Sequence, residues 1–172
     1  MKKINIDRLT VLSLILFILA MVFLLPYMSS LGADLPASLD TSFFYSVADL
    51  KTAILLFNDS QAELYISIRW SYDILWPLVY TFFFVMMIIK FADSTSSKKS
   101  HLLFIILSFL PFVFDMMENT FITLILFSDI FKTNPVYLLA AISSSIKWIS
   151  IFAVFIIIGY RVTINIVINC KK

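Results

Sequence analysis

Residues 101–127 read HLLFIILSFLPFVFDMMENTFITLILF, an apolar run that carries two acids, Asp115 and Glu118, at its middle. About 20 helical residues cross a hydrocarbon core roughly 30 Å thick, so this run is long enough to span a bilayer. An ionised side chain near the centre of such a span costs roughly 2.5 to 3.5 kcal/mol on insertion scales. Residues 135–160, PVYLLAAISSSIKWISIFAVFIIIGY, set the same problem with Lys147. The three charges are expected to face one another and not lipid.

Composition agrees with a membrane class. Hydrophobic residues make up 61% of the 172 residues, charged residues 14%, and mean hydropathy is +0.98. A soluble domain carries about 25% charged residues. A net charge of +2, without a long basic block, gives no footprint for nucleic acid. One cysteine, Cys170, excludes an internal disulfide and leaves too few thiols for a metal cluster.

Working outward, four spans are read at 9–28, 70–91, 101–127 and 135–160, with an outer segment at 29–69, all in one membrane domain over 1–172. The first apolar run exceeds the 7 to 15 residues usual for a signal peptide and is read as an uncleaved anchor. The fold expected is an all-α, four-helix, up-down bundle. A stripe of Phe43, Val47, Leu50, Ile54 and Phe57 predicts an amphipathic helix in the outer segment. Ser60 and Glu63 have capping-box spacing, which predicts that the second helix begins near Gln61 and continues to Phe91. Asn134 before Pro135 reads as an N-cap for the fourth helix.

Basic residues set the expected orientation, because Lys and Arg are retained on the cytoplasmic side. Lys2, Lys3, Arg8, Lys90, Lys98, Lys99, Arg161, Lys171 and Lys172 fall on one side, against Lys51, Arg69 and Lys132 on the other. Both termini and the polar turn at 93–100 are thus expected in the cytoplasm, at the plasma (inner) membrane. The outer segment is acidic, with Asp34, Asp40, Asp49, Asp59 and Glu63.

A hairpin centred on the 128–134 loop puts Asp115 level with Lys147, so a pair between Lys147 and Asp115 or Glu118 is expected. Helical spacing adds Asn119 to the acid face, and Ser143 and Ser144 to the lysine face. The second helix offers Arg69, Asp73 and Tyr80, with Trp76 between them and Pro77 beside them as a kink or a source of a freed carbonyl. The candidate acid/base residues are Glu118 and Asp115. The candidate ligand contacts are Lys147, Asn119, Asp73, Tyr80, Ser143, Ser144 and Arg69.

No Gly-rich phosphate loop, HExxH, GxSxG or Cys–His array occurs, and the single histidine, His101, lies at a span border. No cofactor and no metal is therefore expected. Three readings stay open: a protein that binds or moves a lipid-like or small polar ligand, an intramembrane acid/base enzyme acting on a lipid, and an accessory subunit of a larger membrane complex. The partners implied are the bilayer, such a ligand, and a membrane-protein partner or a second copy of the chain.

Overall fold

The structure, a computed structural model, describes residues 5–36, 43–92 and 98–170. Lys2, Lys3, Asp40, Thr41, most of the polar turn after Ala92, Lys171 and Lys172 lie outside the described residues. Every regular element among the described residues is helical. In chain order these are α1 (Ile6–Leu31), α2 (Val47–Leu55), α3 (Asp59–Arg69), α4 (Tyr72–Lys90), α5 (Lys98–Phe127), a single 3-10 turn (Asp129–Phe131) and α6 (Asn134–Cys170).

Four stretches are long and apolar enough to cross a membrane: Ile6–Leu31, Asp59–Lys90, Lys99–Phe127 and Asn134–Ile168. In the first, third and fourth only 17% of the most apolar window is buried, so most of their apolar side chains face outward. Such a surface is covered in water only by lipid or by another apolar body.

Local chemistry explains the helix limits. Asn5 caps α1 by accepting from the Arg8 amide at 3.2 Å. Within α1, Pro26 has no amide proton and its ring crowds the carbonyl four residues back. A π turn over Ala20–Leu24 absorbs this, with the Leu25 amide bonding Ala20 O, five residues back. Asn58 and Gln61 form the capping box of α3, two residues before the expected Ser60–Glu63 pair; Ser60 Oγ instead donates to Asn58 Oδ1 at 2.8 Å. The expected continuous second helix is interrupted at Trp70 and Ser71, where Ser71 Oγ donates to Ser67 O at 2.6 Å and Trp70 Nε1 donates to Thr123 Oγ1 at 2.8 Å. A hydroxyl bonded to the preceding turn competes with the helical ladder. Pro77, the expected disruption, lies buried inside a helix that runs through it.

The outer helix is shorter than its stripe. A box of Ser46 and Asp49 starts α2 at Val47, which leaves Phe43 outside it, packed on the rings of Trp148 and Phe152. Asn134 does not act as expected either. Its Oδ1 accepts from Lys51 Nζ at 2.5 Å, which ties α2 to the start of α6.

α5 and α6 run back along each other, α1 packs on α4, and α4 also packs on α5 and α6. Two apolar clusters result. One joins Leu50, Ile54, Tyr65, Ile122, Ile125 and Tyr137 at the α2 end. The other joins Tyr80, Phe83, Phe84, Ile88, Val154 and Ile158 toward the opposite end. The charged side chains lie between these two clusters.

Candidate functional site

The third long helix delivers Asp115, Glu118 and Asn119 from adjacent turns of one face, and the fourth delivers Lys147 opposite them. Lys147 Nζ lies 3.2 Å from Asp115 Oδ1 and 2.6 Å from Glu118 Oε2. The sequence expectation that this lysine meets one of the two acids is met twice over. Both acids on one lysine relieve the repulsion that two carboxylates within one turn would otherwise suffer.

Each acid also accepts a phenol. Tyr80 Oη of α4 donates to Asp115 Oδ2 at 3.2 Å, and Tyr45 Oη donates to Glu118 Oε1 at 2.9 Å. Tyr45 precedes α2 and also lies 3.3 Å from Ala140 O. Its burial, and then the facing Glu118 carboxylate, push its hydroxyl far above the ordinary tyrosine range, so it serves as a donor.

A second charged group adjoins the first. Arg69, at the end of α3, is buried, donates to Asn119 Oδ1 and to Tyr65 Oη, stacks over the Tyr65 ring at 4.7 Å and lies 3.8 Å from Asp73 Oδ2. The break at Trp70 and Ser71 sets Arg69 and Asp73 on different helices, α3 and α4, although they are four residues apart. Asn119 therefore links the arginine group to the face that carries Glu118.

These side chains form one wall of a cavity of about 880 Å³. Its polar wall includes Arg69, Asp73, Tyr80, Asp115 and Lys147, and its apolar wall comes from α1, α4 and α6. Glu118 and Asn119 do not line it; both are fully buried behind Asp115 and Lys147. Ser143 and Ser144 are buried and also lie off the cavity wall, and Ser144 Oγ has no hydrogen-bond partner among the described residues. Seven of the nine sequence candidates thus fall in two adjoining polar groups, Lys147 with Asp115, Glu118 and Tyr80, and Arg69 with Asp73 and Asn119, and the two serines stand apart from them.

Sequence reasoning missed Tyr45, Tyr65 and Trp148. The first two lie in the segment read as outer; Tyr65 stands four residues before Arg69, a helical spacing that was the available signal, whereas no spacing connects Tyr45 to Glu118. Trp148 is beside Lys147 in sequence, and its ring lies 5.5 Å from Lys147 Nζ.

Among the described residues, no three His, Cys, Asp or Glu side chains are grouped so as to hold a metal ion. The arrangement offers carboxylates, one ammonium, one guanidinium and three phenols, a set suited to hydrogen bonding a polar group or exchanging a proton with it. No family model matches this chain, no curated protein matches it, and no solved structure matches it.

Proposed function

We propose that this chain is a multi-pass membrane protein, both termini cytoplasmic, that binds a lipid-like or small polar ligand at the charged wall of the cavity. The observation that carries the reading is the cavity itself: about 880 Å³, with Asp73, Asp115 and Lys147 buried yet on its wall. Ligand sites are commonly concave, mostly apolar and roughly 300 to 1,000 Å³, with a few convergent polar groups. Ionisable groups inside a membrane span are costly and recur where a ligand, ion or proton is handled. A purely structural ion pair would have no need of the adjoining open volume.

The test is thermal stability of the purified protein against a panel that holds both water-soluble polar molecules and membrane-soluble amphiphiles. A bound ligand raises Tm in proportion to its occupancy. The expected result is a shift by at least one class that Asp115→Asn reduces or removes. If no class shifts the wild type, the binding reading fails.

One observation favours a second reading, an acid/base enzyme acting on a lipid. Asp115 lies on the cavity wall with the Tyr80 phenol and the Lys147 ammonium on its two oxygens, a geometry in which a carboxylate can take and return a proton. Glu118, held behind it, is placed to support that group and not to touch a substrate. Conversion of a bound lipid, lost in Asp115→Asn while Tm is kept, would separate enzyme from binder.

A further inference from the structure

The cavity is bordered by two helices that pack elsewhere. Phe17, Met21 and Leu25 of α1 line it on one side, and Trp148, Ile151 and Phe155 of α6 on the other. The main packing of α1 is on α4, and that of α6 is on α5, with α2 and α4 after it, so the volume separates α1 from α6. The two edges are open outward as well, since Met21 retains 46% and Phe155 43% of its exposure while lining the cavity. The π turn of α1 spans Ala20–Leu24, along this border, and such turns locally relax a helix. All six of these border side chains are apolar or aromatic. Apart from the indole N–H of Trp148, an aqueous solute would find no polar group among these six side chains, whereas an apolar chain would find an almost continuous apolar surface.

The head-group end has its own preference. Arg69, Asp73, Asp115, Glu118 and Lys147 bring two formal positive and three formal negative charges together, an excess of one negative charge. Glu118 is inaccessible and Arg69 nearly so, so the charged atoms left at the cavity wall belong to two carboxylates and one ammonium, with the Tyr80 hydroxyl already given to Asp115. An anionic head would add charge to an already negative site in low dielectric. A head that donates hydrogen bonds and carries no negative charge would be accepted by Asp73 and Asp115.

We infer that the ligand is a non-anionic, single-chain amphiphile that enters from the lipid phase between α1 and α6 and sets a hydrogen-bond-donating head against Asp73 and Asp115. The volume suits a drug-sized body and not a two-chain phospholipid. This rests on the binding reading above and narrows its ligand class.

Trp76 and Trp148 line the cavity, and Trp70 does not, so a Trp70→Phe variant reports on the cavity through its tryptophan fluorescence. In lipid nanodiscs it is titrated with brominated stearyl alcohol, brominated stearylamine and brominated stearate as quenchers. The expected result is saturable quenching by the alcohol, the amine or both, competed by the unbrominated compound and at least tenfold weaker for stearate. The alcohol and amine arms tell a neutral donor head from a cationic one. Ile151→Trp in the same background supplies a second check, slowing the approach to saturation by narrowing the cleft.

Stearate that quenches as well as the alcohol overturns the head-group assignment. Quenching without saturation by all three overturns entry from the lipid. In that case a Tm shift by a water-soluble compound, dependent on Asp115, would leave the binding reading standing; no shift by any class would remove both.

Discussion

At the residue scale, the centre of the molecule is Lys147, the ammonium that both Asp115 and Glu118 share. Removing one partner of a buried charge group leaves the others uncompensated and costs about 3 to 5 kcal/mol. Lys147→Met is therefore expected to lose about that much stability, read from denaturant or thermal unfolding in detergent. Glu118→Gln acts in the opposite sense, because it removes the excess negative charge while keeping an acceptor for Tyr45. It is expected to change stability by no more than about 1 kcal/mol, and the double variant to recover most of the Lys147→Met loss, a coupling that a double-mutant cycle measures. Tyr45→Phe deletes the donor to Glu118 Oε1 and is expected to cost about 1.5 to 3 kcal/mol, the range for a hydrogen bond to a charged group. Asp115 and Lys147 were legible in the sequence because an apolar span makes every charge conspicuous and hairpin symmetry sets their level. Tyr45 was not, because its hydrogen bond joins residues 73 positions apart and it lies off the apolar stripe of its own segment.

At the element scale, the shortest helix depends on one box. Asp49 Oδ2 accepts from the Ser46 amide at 2.9 Å and from the Ser46 hydroxyl at 2.8 Å, bonds that hold its carboxyl below the usual carboxylate range. A group whose folded value is depressed contributes stability that is present above its unfolded value and is lost as pH falls through the folded one. Amide protection in α2, taken relative to the intrinsic exchange rate at each pH, should accordingly fall on acidification below about pH 4, the ordinary carboxylate value, and Asp49→Ala should lower protection at neutral pH and flatten that acid dependence. The interruption between α3 and α4 belongs to the same scale. Side-chain bonds from Ser71 and Trp70 end the ladder there, so capping boxes and prolines, the signals a sequence displays, pointed to neighbouring positions instead.

At the scale of the whole molecule, four long apolar helices leave broad outward apolar faces, and a charged layer with its cavity lies inside. The orientation proposed from the basic residues has a direct check, because Cys170 is exposed and is the one cysteine of the chain. In intact cells a membrane-impermeant maleimide is expected to leave Cys170 unlabelled until the membrane is permeabilised, whereas Cys170→Ser combined with Ser60→Cys should be labelled from outside. Labelling of Cys170 in intact cells would reverse the proposed topology.

The sequence by itself determined the helical class, the four long apolar stretches, and which charges must be reconciled inside them. These follow from composition, run length and helical period, all of which are local or nearly so. Only the tertiary structure decided that Glu118 is enclosed while Asp115 and Lys147 line a cavity, that Arg69 bonds Asn119 next to Glu118 on the same helix, and that Tyr45 closes the group from outside the long helices. Which face of a helix meets another, and how far apart two helices stay, depend on side-chain packing among residues distant in the chain, and helical period places residues on a face without saying what stands opposite.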